Sequence, residues 1–116
     1  MKGELRTPHF IEHMLTAIAR IREYTAPLSV QSFKATPMAI DAVVRNFEII
    51  GEASRNIMRV DPDFVARHGD IPWQDMYGMR NQMSHAYFAV DLDLVWQTIQ
   101  RDLPELERAL QRSRQP

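Results

Sequence analysis

Proline sets the punctuation of this chain. Thr7-Pro8, Thr36-Pro37, Asp61-Pro62 and Pro72-Trp73 each place a proline where a helix can begin. Proline pre-sets the helical φ and lacks only an N–H that a first turn leaves unbonded anyway, so it suits helix starts and breaks helix interiors. The text between the prolines is helical. After Thr7, read as an N-cap with Pro8 in the first turn, Phe10, Ile11, Met14, Leu15, Ile18 and Ile21 recur at steps of three and four. Pro27 and residues 29–32 end that helix. After Thr36-Pro37 a second apolar stripe runs through Ile40, Val43, Val44, Phe47, Ile50 and Ile57. Its opposite side carries Asp41, Arg45, Glu48, Glu52, Arg55 and Arg59, one narrow polar strip. Asp61-Pro62 opens a short helical turn that Gly69 closes, and Pro72-Trp73 opens a third main helix. Asp91 caps a last region with Leu92, Val95, Trp96, Ile99, Leu103, Leu106 and Leu110 inward, and Pro104 predicts a kink or break around residues 101–103. No stretch alternates as a strand does. The expected fold is all-α, an antiparallel four-helix bundle with an extra short helix.

With 116 residues the chain fits one domain, residues 1–116, and needs no staple to fold. A formal net charge of -1 provides no global attraction to nucleic acid, so any RNA or DNA binding must come from a local patch, such as one assembled across subunits. The absence of cysteine removes disulfides, thiolate catalysis and thiolate-ligated zinc, and suits a cytoplasmic location. No signal peptide and no membrane span are read from the sequence.

The chemistry concentrates in Arg80-Asn81-Gln82-Met83-Ser84-His85-Ala86-Tyr87. A neutral imidazole at His85 accepts and returns protons near cellular pH; the bland reading is a histidine bonded to a carbonyl near a helix end. Arg80 can fork onto phosphate oxygens and stabilise a phosphorane-like transition state; the bland reading is a surface ion pair. Tyr87 is either a core aromatic beside Phe88 or an exposed hydroxyl open to modification. Asp41, Arg45 and Glu52 orient Arg80 or His85 if the polar strip turns inward, and are otherwise a solvated face.

Helix geometry adds a constraint. Asn81 and His85 are four apart and share a face, whereas Arg80 and His85 are five apart, about 140° around the axis. One straight helix would not bring Arg80 and His85 to one phosphate. Either the helix loosens near Ser84, or Arg80 of one chain meets His85 of another across a two-fold axis. A competing metal reading comes from His9-Phe10-Ile11-Glu12-His13, which matches the H-x-x-E-H zinc-protease pattern. It needs a third ligand and a peptide-sized cleft, and Phe10 and Ile11 already serve the core stripe, so no metal and no organic cofactor is expected. Gly-rich phosphate loops and nucleophile elbows are missing.

Taken together, Asp41 and Arg45, Ile49-Ile50-Gly51-Glu52-Ala53, Ile71-Pro72-Trp73, Gly78-Met79-Arg80-Asn81, His85-Ala86-Tyr87-Phe88, Val95-Trp96 and Asp102-Leu103-Pro104 resemble the HepT-like toxins of the HEPN superfamily. The resemblance covers most of the chain. The R-x4-H core alone is weak; R-N-x3-H-x-Y after I-P-W and I-I-G-E-A is specific. Ser84 stands where a small apolar residue is common and Ala86 where glycine is common, and neither removes a functional group. The resemblance implies a metal-independent endoribonuclease with Arg80, Asn81 and His85 as its catalytic residues, at a homodimer cleft. It implies an RNA substrate, and a nucleotidyltransferase antitoxin of the MntA type that adenylylates Tyr87. The rival reading is a non-catalytic helical module that binds a nucleotide or a protein partner.

Overall fold

The computed structural model describes residues 2–115 except residues 86–90; the side chains of residues 2–5 and 80–85 also lie outside the described set. Every regular element among the described residues is helical. In order these are α1 (Lys2–Thr25), α2 (Val30–Lys34), α3 (Pro37–Val60), α4 (Pro62–Arg67), α5 (Trp73–His85), α6 (Leu92–Gln97), a π-helical segment (Thr98–Asp102) and α7 (Leu103–Ser113). The all-α expectation holds. No described helix is long and apolar enough to cross a membrane.

α3 is the central rod. It packs against α1 on one side and α5 on another. Val43, Phe47, Ile50 and Ile57 of its stripe are buried together with Ile11, Met14, Ile18 and Ile21 of α1. Burying such side chains removes apolar surface from water at roughly 25 cal/mol per Å². Gly51, Ala53 and Ser54 are also buried on α3. Small side chains there let neighbouring backbones come close, and the Ser54 hydroxyl donates to the Trp73 carbonyl at 2.8 Å. α7 returns along α1, where Arg22 pairs with Glu107 and Arg114 with Glu12, so those two helices run antiparallel.

Pro37 and Pro62 open helices as read, whereas Pro8 and the caps around these prolines behave differently from their sequence reading. α1 starts at Lys2 and passes through Pro8, so Thr7 is not its N-cap. The Thr7 hydroxyl is spent on a tertiary bond instead, donating to Asp61 Oδ2 at 2.6 Å with both residues buried. α3 does begin at Pro37, but the Thr36 hydroxyl makes no cap bond. It donates back to the Ser32 carbonyl at 2.6 Å. α4 ends at Arg67 with His68 as its cap, and Gly69 has no left-handed φ, so no glycine cap closes it. Residues 29–32, read as the end of the first helix, nucleate α2. Ser29 and Ser32 form a reciprocal capping box there.

Two other readings hold. The Asp91 carboxylate accepts from the Asp93 and Leu94 backbones and starts α6. Pro104 sits in the first turn of α7, and the chain before it widens into the π-helical segment, with the Leu103 N–H bonded to the Thr98 carbonyl. A proline has no N–H for the carbonyl four residues back, so the ladder is re-made one residue wider.

The Thr7–Asp61 bond joins the start of α1 to the junction of α3 and α4. Thr7→Val leaves the buried Asp61 carboxylate short of a donor and should cost about 1–3 kcal/mol in urea denaturation. Thr16→Val, on the exposed side of α1, should stay within about 0.5 kcal/mol of wild type. Equal midpoints for the two variants would contradict this role for Thr7.

Candidate active site

The helix that carries the reactive run is fixed at its beginning. Asp61 caps α4 through the Phe64 N–H. After α4 the chain turns through Ile71, which is buried and donates its N–H to the His68 carbonyl. The Trp73 indole N–H donates to the same carbonyl at 3.1 Å, and its ring stands edge-on to Phe64. With Ser54 holding the Trp73 carbonyl, the first residue of α5 is clamped from two helices. Each position further along inherits its direction from that clamp.

Trp73 and Met76 are buried and define the face of α5 that meets the core. Position 80 lies seven residues after Trp73 and four after Met76, so its backbone falls on the same face. Positions 81 and 85 fall about 140° and 180° away from Met76, on the outward side. α5 remains α-helical through His85. The loosened helix near Ser84, one of two ways to bring Arg80 and His85 together, therefore does not occur before His85. Arg80, Asn81 and His85 are placed here by backbone only, and Tyr87 lies outside the described residues.

The polar strip of α3 stays at the surface. Asp41 and Arg45 are exposed and Glu52 is half-buried. Arg45 lies 3.8 Å from Glu48 and Arg55 lies 3.7 Å from Glu52, so the strip is laced by ion pairs one helical turn long. Arg45, Glu48, Glu52 and Asn56 line one wall of a groove of about 420 Å³, and Phe10 and His13 of α1 line the other. The sequence reading did not bring α1 to this strip. The His13 of the discarded zinc pattern was the available signal, since a histidine on the polar side of a core stripe must face whatever borders that stripe. His9 and His13 are both exposed, and among the described residues no group of three His, Asp or Glu side chains converges as metal ligands.

The model of the family described as HepT-like, ribonuclease HepT-like, matches residues 14–113. The chain belongs to the HepT-like ribonuclease family. That match takes in α3, α5 and α7 whole. A protein of Thermococcus cleftensis named probable ribonuclease HepT is 38% identical over 90% of this chain and 93% of its own length. A protein of Caldanaerobacter subterraneus subsp. tengcongensis named a putative RNase is 35% identical over 90% of this chain and 91% of its own. Another so named from Methanocaldococcus jannaschii is 33% identical over 88% and 91%. No solved structure matches.

A strip kept at the surface can be altered without unfolding the protein. Arg45→Ala should leave the urea midpoint within what about 0.5 kcal/mol allows. A loss of more than about 2 kcal/mol would show that the strip is part of the packed core.

Proposed function

We propose that this protein is the ribonuclease toxin of a toxin–antitoxin pair, cutting RNA without metal at a site shared by two copies of the chain. Arg80 and His85 are its working pair, Asn81 accompanies them, and Asp41, Arg45 and Glu52 support them. The observation that carries this reading is the register of α5 in a HepT-like chain. One regular helix presents positions 80 and 85 on different faces, which favours a site completed by the two-fold mate.

The step is an internal displacement at phosphorus. His85 takes the proton of a ribose 2′-OH, and the 2′ oxygen bonds to the adjacent phosphorus. Arg80 stabilises the extra negative charge on the phosphorane oxygens. The bond to the 5′ oxygen breaks, that oxygen takes up a proton, and the products are a 2′,3′-cyclic phosphate and a free 5′-OH. DNA, which lacks the 2′-OH, has no such route. Asn81 shares a helical face with His85 and is suited to orient the imidazole or the phosphate.

Silencing follows from the neighbouring position. A nucleotidyltransferase partner that attaches AMP to Tyr87 would add bulk and negative charge two residues from His85. The attached phosphate would compete with RNA for Arg80.

Expression of the chain alone should arrest growth, and the purified protein should cut RNA in the presence of a chelator. His85→Ala should lower cleavage by at least about 100-fold with an unchanged urea midpoint. A substrate with one 2′-deoxy sugar at the cut should resist cleavage there. Full activity in His85→Ala, or cutting at the deoxy position, would overturn the mechanism; retained partner binding with no activity in wild type would favour a non-catalytic binding module. Co-expression with the nucleotidyltransferase should add one or more AMP units at Tyr87 by intact and peptide mass. A neutralised but unmodified protein would contradict the silencing step.

A further inference from the structure

A second concave surface lies away from positions 81 and 85. α5 and α7 do not close on each other, and between them α3 is left as the floor of a cavity of about 440 Å³. Phe47 and Ile50 form that floor, with Met76 and Met79 on the α5 wall and Leu106 and Ala109 on the α7 wall. The rim is acidic. Asp70, Asp75, Asp102 and Glu105 stand around it, and all four are exposed. Among the described residues Arg112 is the one cation lining it, 3.5 Å from Asp70. Asp75, Asp102 and Glu105 make no ion pair among the described residues.

The backbone helps to build this rim. The π-helical segment before Pro104 begins at Thr98 and ends at Asp102, and both residues line the cavity. A widened turn rotates the residues after it relative to a continuous α-helix. Here it sets Asp102 and Glu105 across the opening from Asp75 of α5. On α5, Asp75 and Met79 lie about 100° and 60° to one side of Met76; position 81 lies about 140° to the other side, and position 85, about 80° from Asp75, is ten residues or about 15 Å further along the axis. An occupant can therefore sit in the cavity without covering the outward face of α5.

We propose that this groove docks a basic amphipathic segment of a partner protein. Charge complementarity selects the occupant. Among the described lining residues four carboxylates stand against one guanidinium, in a chain of net charge -1, a balance that repels RNA phosphates and anionic lipid. They attract lysine and arginine. The apolar walls, with two methionines that repack around different shapes, suit leucine- or phenylalanine-type anchors spaced along one helix face. The segment seats those anchors between Met76, Met79 and Leu106, and its cations face Asp75, Asp102 and Glu105.

The test uses the full chain and a fluorescein-labelled amphipathic peptide of leucine and lysine at helical spacing. Controls are the same composition scrambled to lose amphipathicity, and a leucine–glutamate version. The leucine–lysine peptide should bind with saturation and weaken as salt rises. The triple variant Asp75→Asn, Asp102→Asn, Glu105→Gln changes exposed groups only and should weaken binding at least tenfold. Met79→Asp, which places a charge on the apolar wall, should weaken it as well while the urea midpoint of each variant is checked in parallel. Equal affinity for the scrambled peptide, equal affinity in the triple variant, or displacement of the peptide by equimolar spermidine would overturn the proposal. The last two outcomes would mean attachment elsewhere or bare counterion attraction.

Discussion

The clamp on Trp73 is the contact on which the rest depends. Its carbonyl accepts from Ser54 of the central helix, and its indole N–H bonds the carbonyl of His68. A buried hydroxyl-to-carbonyl bond is worth only about 1 kcal/mol net, but leaving either group unpaired costs more. The clamp therefore acts as a register pin more than as a source of stability. Once Trp73 is fixed against α3, Met76 must face the core and position 80 must follow. Positions 81 and 85 must then face outward. The chemistry attributed to this helix is a consequence of where it starts.

Much of the fold was legible because the signals were local. Asp91 starts a helix because its carboxylate reaches N–H groups two and three residues on. Pro104 breaks the ladder because it lacks an N–H. Pro37 marks a helix start for the same reason. The misreadings occurred where another partner, distant or local, competed for the same hydroxyl. Thr7 looked like a cap, but Asp61, 54 positions away, takes its hydroxyl. Thr36 gives its hydroxyl to Ser32, and Ser29 and Ser32 cap each other to form a helix where only an ending was expected. A helix cap and a tertiary hydrogen bond use the same atoms, and sequence spacing cannot choose between them.

The candidate site was legible to a lesser degree. The spacing of Arg80, Asn81 and His85 sets their relative faces on any regular helix, and α5 is regular through His85. The polar strip of Asp41, Arg45 and Glu52 was visible as a pattern, but its neighbour was not. Its border with Phe10 and His13 depends on how α1 crosses α3. The acidic cavity between α5 and α7 was invisible for a similar reason, since Asp75, Asp102 and Glu105 come together only in three dimensions. The two surfaces divide the labour of a small chain: the end of α5 that carries positions 80–85 is proposed for RNA, and the α5–α7 groove for a protein partner.

The central claim is that Arg80 and His85 of different copies form one site. Mixed dimers test it directly. Arg80→Ala and His85→Ala chains, each inactive alone, are refolded together. Random pairing makes half the dimers mixed, and a mixed dimer holds one intact Arg80–His85 pair of two if the pair spans the two-fold axis. About a quarter of wild-type RNA cleavage should return on mixing. A mixture as inactive as its parents, with mixed dimers present by native mass, would place both residues of a site on one chain and contradict the account.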